Sequence, residues 1–145
     1  MKAKDLFDNE VKAEIESAIA RSALLTSGEL RLFVEDHCAD NDVLDRAAYI
    51  FEKLEMQRTE QRNGVLFYMA VSDQRFAIIG DRGINSKVPD DFWMHIKDHM
   101  ATLFKEGRIS QGLSEGIAMA GQALSEHFPF KKDDSDELSN EIVIG

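Results

Sequence analysis

Four short segments of this chain carry side chains that could do chemistry, and most of those side chains are carboxylates. Asp36-His37-Cys38-Ala39-Asp40-Asn41-Asp42 places three carboxylates, an imidazole and a thiol in seven consecutive residues. Gly80-Asp81-Arg82-Gly83 sets one carboxylate between two glycines, and Pro89-Asp90-Asp91 follows shortly after. His95 and His99 stand four apart.

A cysteine serves as a phosphatase nucleophile when its thiolate sits in a basic, amide-lined loop. Cys38 is instead followed by Asp40 and Asp42, whose charges raise a thiol pKa and repel phosphate, and the next arginine is Arg46. It reads as an ordinary loop residue. Asp40-Asn41-Asp42 has the spacing of an Asp-x-Asp nucleophile pair, in which one carboxylate attacks and its neighbour acts as acid. The pair is displaced from the end of the preceding strand and runs into Val43-Leu44, so it reads equally as the capping acids of a helix. The sixth-position glycine and twelfth-position glutamate of an EF-hand are missing. His95 and His99 could reach one zinc ion, but Ile96 stands where a zincin has glutamate, so they read as a solvated helix face. The loop around Asp81 lacks the glycine and lysine spacing of a phosphate cradle. It either exposes one carboxylate on a sharp bend or bonds its own backbone. No Gly-x-Ser-x-Gly elbow is present. Carboxylates in loops remain, and their oxygens suit hard cations such as Ca²⁺ or Mg²⁺.

The rest of the chain must position these loops. Its 145 residues are 43% hydrophobic, enough for one domain. Seventeen Lys and Arg against 27 Asp and Glu leave a net charge of −10. That charge argues against nucleic acid and against an anionic membrane surface as partners, and favours cations. The longest apolar run, Val65–Val71, is far short of the roughly 20 residues of a membrane helix. The N-terminus lacks a signal-peptide core, and a lone cysteine makes no internal disulfide. A cytoplasmic protein is expected.

Phe7, Val11, Ile15 and Ile19 predict a helix from Leu6 to about Leu25, with Asp8 as its N-cap. Glu29–Glu35 alternates like a strand with Leu30, Leu32 and Val34 inward, and a helix follows from Val43 to about Met56. Val65–Val71 is apolar on both faces, as in a central strand covered by helices, and it forms a hairpin with Phe76–Ile79. Gly80–Val88 reads as a long loop. Pro89 then opens a helix that Gly107 stops, and a last helix spans about Ser110 to Phe128. Its Gly112, Gly116 and Gly121 lower helix propensity by roughly 1 kcal/mol each, which implies close packing on a neighbour. This order predicts an α/β fold: a three-layer α/β/α sandwich with a small mixed sheet and about four helices, over residues 1–130. Residues 131–145 read as an acidic mobile tail, with Ile142-Val143-Ile144 able to add a strand beside Phe76–Ile79.

Gly64–Val71, the hairpin to Phe76–Gly80, Gly83-Ile84, Val88-Pro89-Asp90 and the later Gly107–Leu113 with Gly116-Ile117 together resemble the TPM domain family over roughly residues 6–129. The resemblance implies an α/β/α sandwich, divalent-cation binding in some members and acid phosphatase activity in some plant members. Asn85 and Arg108 stand where many relatives carry acids, which removes negative charge from places where it would hold a metal or act as an acid. Most relatives are exported or membrane-anchored, so this chain resembles a stand-alone cytoplasmic version.

The leading expectation is a non-enzymatic Ca²⁺-type (or Mg²⁺) binding domain with a regulatory or protein-contact role, its oxygens drawn from Asp36, Asp40, Asp42, Asp81 and Asp90. The alternative is a metal-assisted acid phosphatase with Asp81 or Asp40 placing the cation. Residues 36–45 and 80–91 can share one site only if the first strand runs antiparallel to Val65–Val71.

Overall fold

The computed structural model describes residues 1–130 and 141–145. The expected mobility of Lys131 to Asn140 concerns residues outside the described ones.

The sheet is built around β2 (Gly64–Ala70), in which every residue is buried. β1 (Glu29–Glu35) runs parallel to it, β3 (Arg75–Gly80) runs antiparallel on its other side, and the order is β3-β2-β1-β4. β4 is the terminal pair Val143–Ile144. Successive residues of a strand point to opposite faces, and the two faces carry separate cores. Leu30, Leu32, Val34, Val65, Phe67 and Met69 pack with Ile15, Ile19, Ile96, Met100, Leu113 and Ile117. These helix residues belong to α2 (Asn9–Ala23), α5 (Phe92–Lys105) and α6 (Ile109–His127). Phe33, Leu66, Tyr68 and Ala70 pack on the opposite face against Ala47, Ile50 and Phe51 of α3 (Val43–Lys53). The mixed α/β sandwich is thus as expected, though lopsided: three long helices cover one face and one covers the other.

Local chemistry sets the helix ends. Asp8 accepts a hydrogen bond from the Val11 amide at 2.9 Å and opens α2. Gly107 adopts φ +78° and closes α5. The glycine stripe of α6 permits close approach. A Cβ at Gly112 would lie 2.6 Å from the Phe104 ring, one at Gly116 2.4 Å from Met100 Sδ, and one at Gly121 2.4 Å from Ser22 Oγ.

Three details differ from expectation. The long loop after β3 holds a one-turn helix, α4 (Arg82–Asn85), because Asp81 accepts the Arg82 amide hydrogen at 2.7 Å; with the first turn α1 (Ala3–Leu6), six α-helices occur among the described residues, besides a 3-10 turn at Met56–Arg58. Pro89 lies before α5, which starts at Phe92. The terminal strand adds in parallel to β1, on the far edge from β3, with Val143 opposite Phe33. Buried Ile142 fixes that choice by joining the core between β1 and α2. Its amide donates to Glu16 Oε2 at 3.0 Å, and the Gly145 amide donates to the Val34 carbonyl at 2.7 Å.

Candidate functional site

Because β1 and β2 are parallel, Glu35 pairs with Ala70 and both strands finish at the same end of the sheet. β3 returns antiparallel, so Gly80 sits opposite Val65 and the Asp81 amide donates to the Gly64 carbonyl at 2.9 Å. Asp36 and Asp81 therefore lie a strand's length apart, about 20 Å for a seven-residue strand. Ca²⁺–oxygen contacts span about 2.3–2.6 Å. The single site uniting residues 36–45 with 80–91 does not form, because it requires the antiparallel arrangement.

At the far end Asp81 is buried, with 7% of its surface exposed. Arg62 Nε donates to its Oδ2 at 2.7 Å and Arg62 Nη2 to its Oδ1 at 3.0 Å. This carboxylate is neither exposed on a bend nor available to a cation; it pairs with a guanidinium and caps α4. Asn85 uses both halves of its amide, donating to the Gly80 carbonyl at 2.8 Å and accepting from Trp93 Nε1 at 2.7 Å. A glutamate could not donate there. Asp90 stands exposed in the connection before α5.

The other acids gather at the C-terminal end of β1. Asp36 Oδ1 accepts the Ala3 amide at 2.6 Å, and Asp42 Oδ1 accepts the Leu44 amide at 2.8 Å as the cap of α3. Each of these carboxylates has a second oxygen. Asp40 is exposed. The β2–β3 turn supplies Asp73 and Arg75. Asp73 Oδ1 meets His37 Nδ1 at 2.8 Å and its Oδ2 accepts the Cys38 amide at 2.7 Å. Those two hydrogen bonds hold its carboxyl below the usual range. Arg75 extends its guanidinium to backbone oxygens of the acidic loop: Nη1 to the Asp40 carbonyl at 3.1 Å and Nη2 to the Asn41 carbonyl at 2.6 Å. Cys38 Sγ donates to the same Asp40 carbonyl at 3.3 Å. Among the described residues no three His, Cys, Asp or Glu side chains converge as a ready metal shell.

Beneath this loop lies an ionic cluster that the pattern reading missed. Arg46 donates from Nε and Nη2 to the two oxygens of Glu35, each at 2.9 Å, and the Tyr68 hydroxyl donates to Glu35 Oε2. The available signal was Tyr68 itself, since a phenol inside a strand buried on both faces needs a partner. Burial pushes the Glu35 carboxyl up, but the hydrogen bonds from Arg46 and Tyr68 outweigh it and leave it below the ordinary carboxylate range. Burial, followed by the Glu35 hydrogen bond, pushes the Tyr68 phenol well up.

A carboxyl whose folded-state pKa is lowered contributes stability that is complete above its unfolded pKa, about 4.3 for glutamate, and is lost as pH falls through the folded value. Thermal melts from pH 6 down to pH 3 should therefore steepen below about pH 4.3 in the parent. Glu35→Gln should start less stable at pH 6 and show a shallower acid decline. Parallel curves for the two proteins would refute the assignment to Glu35.

The fold defines a mixed α/β sandwich domain whose β1–α3 loop carries Asp36, Asp40 and Asp42. The chain belongs to the TPM domain family, whose model matches residues 1–123. It is 46% identical to the BA42 protein of the psychrophilic bacterium Bizionia argentinensis, whose solution structure it matches with a TM-score of 0.88 over 95% of this chain and 94% of that one. The N-terminal domain of a P. gingivalis protein shares the fold at 20% identity, with a TM-score of 0.69 over 89% of this chain and 85% of that one. No curated protein sequence matches the chain. Among the described residues no helix is long and apolar enough to cross a membrane.

Proposed function

We propose that this TPM domain is a divalent-cation-binding module of the Ca²⁺ type, without catalysis of its own, in which the cation state of the β1–α3 loop governs a protein contact. The observation that carries the reading is the grip of that loop on Arg75. Two consecutive carbonyls, of Asp40 and Asn41, already converge on a positive group, on a loop that also bears Asp36, Asp40 and Asp42 and is tied to Asp73. Ca²⁺ takes six to eight oxygens from carboxylates, carbonyls and water in flexible geometry. The candidate donors are of the types Ca²⁺ takes: the two carbonyls, the Asp40 carboxylate and the second oxygens of Asp36 and Asp42, which would have to draw together on binding because the acids do not converge beforehand. Mg²⁺, which demands near-ideal octahedral geometry and keeps several waters, fits the same oxygens less well. Asp81 and Asp90 fall outside this set. The cation would supply charge neutralisation and order to the loop.

Phosphomonoester hydrolysis has less support. Arg46 and Arg62 are each engaged by a carboxylate through two hydrogen bonds, so neither is available to clamp a phosphoryl group. Turnover of a chromogenic phosphate ester that disappears with Asp40→Asn would reverse that preference.

Titration of the labelled protein with Ca²⁺ should shift amide resonances of residues 36–45 and 72–75 and leave those around residues 80–91 unmoved. Arg75→Gln, which removes the competing internal cation, should tighten binding severalfold, and Asp40→Asn should weaken it. No shifts and no rise in melting temperature with Ca²⁺ would overturn the proposal.

A further inference from the structure

A cavity of about 450 Å³ opens between the β2–β3 hairpin, the end of α5, the start of α6 and the first turn α1. It lies on the opposite face of the sheet from α3. Its walls are the side chains of Leu6, Met69, Val71, Phe76, Phe104 and Ile109. Phe76 and Phe104 meet edge to face with centroids 4.9 Å apart, which fixes one wall. Gly112 holds that wall open, since a Cβ there would collide with the Phe104 ring.

The polar lining is the informative part. It comprises Gln74, Arg75 and Lys105 and includes no acid, in a chain with 27 acids and 17 bases. Arg75 is committed to the Asp40 and Asn41 carbonyls. Lys105 has no hydrogen-bond or ion-pair partner among the described residues. A second ammonium, Lys97, stands 5.4 Å over the Phe76 ring at the same wall. Ligand sites of this size are mostly apolar with a few polar groups that orient the ligand. Here the one uncommitted charge in the lining is positive, and the acid next to it in the chain, Glu106 just past α5, faces Arg108 at 3.8 Å.

We propose that this cavity binds a small amphipathic monocarboxylate, its apolar body against Met69, Phe76 and Phe104 and its carboxylate paired with Lys105. Arg75 lines this cavity and also holds the acidic loop, so the two places adjoin; the proposal rests on Lys105 and the apolar walls and not on the cation reading.

The probe is sodium octanoate, titrated below its micelle threshold into the labelled full chain, with octan-1-ol as the uncharged counterpart. Saturable shifts confined to residues 69–76 and 101–109 are expected. Lys105 is exposed, so Lys105→Glu should fold normally. It should weaken octanoate at least about fivefold while leaving octanol unchanged, the direction a lost ion pair dictates. Absence of saturable shifts, shifts centred elsewhere, or equal binding of octanoate and octanol that ignores Lys105→Glu would each overturn the proposal.

Discussion

Gly83→Ala is expected to be the most damaging single-methyl change in the molecule. A Cβ at Gly83 would lie 2.1 Å from the Gln61 carbonyl oxygen and 2.5 Å from that of Arg62. Both are backbone atoms, so no side-chain rotation relieves the overlap. The Gly83 amide donates to the same Arg62 carbonyl at 2.8 Å, so moving the segments apart also breaks that bond. Overpacking against backbone and loss of that half-buried hydrogen bond together cost on the order of 3 kcal/mol, a large share of a domain's usual 5–15 kcal/mol. Urea unfolding followed by circular dichroism should show a midpoint far below the parent's, or no folded baseline. Gly28→Ala is the milder comparison, since its contacts are with the buried Leu124 side chain and not with backbone. Equal midpoints for Gly83→Ala and the parent would disprove the close approach.

Asp81→Ala is expected to have the next largest effect, on stability rather than on cation binding. Asp81 ends β3, starts α4 and receives Arg62 through two hydrogen bonds. Loss of the cap alone costs about 1 kcal/mol, and the unpaired guanidinium adds to that. Arg62 holds a left-handed backbone, φ +52°, at the residue whose carbonyl meets Gly83, so the pair also steadies the segment on which α4 rests. Asp81→Asn, which keeps an acceptor for the Arg82 amide but loses the charge, should fall between parent and alanine. In a double-mutant cycle with Arg62→Ala the two losses should be far from additive. Ca²⁺ titration should be the same in Asp81→Asn as in the parent; loss of binding there would return Asp81 to the cation site.

What was legible in the sequence follows from the range of the interactions involved. β1 and β2 could be read to within a residue, because inward Leu30, Leu32 and Val34 at every second position and an all-apolar run each specify a strand without reference to partners. Asp8, Gly107 and the α6 glycines were legible for the same reason, as caps and close contacts leave local marks. α4 was not: a four-residue helix has no hydrophobic period, and its only sign is a capping aspartate that also suits a turn. The placement of Asp81 depended on whether β1 and β2 run parallel, which alternation does not encode. The helix between them was the usable signal, since adjacent parallel strands need such a crossover. The partners Arg62–Asp81 and Arg75 with the acidic loop were beyond reach, because strand register brings them together, and Arg46 meets Glu35 only through the packing of α3 on the sheet. The terminal strand was recognisable as a strand from its β-branched residues, while its edge was set by a distant slot for Ile142.

That last strand ties positions 126 residues apart, from the Ile142 amide to Glu16. Loop-closure entropy rises with the logarithm of the intervening length, and contacts so remote form after local ones have made them favourable. β1, β2 and β3, joined by one helix and one short turn, can assemble first; β4 then adds to a finished edge through two residues. The same step reversed would be a local opening that breaks only the two-residue pairing of β4. It frees the outer side of β1 near Phe33 and Val34 while β2, paired on both sides, keeps all its hydrogen bonds. The outer edge of β1 is thus closed by a strand only at Phe33 and Val34, by the chain's own C-terminal segment.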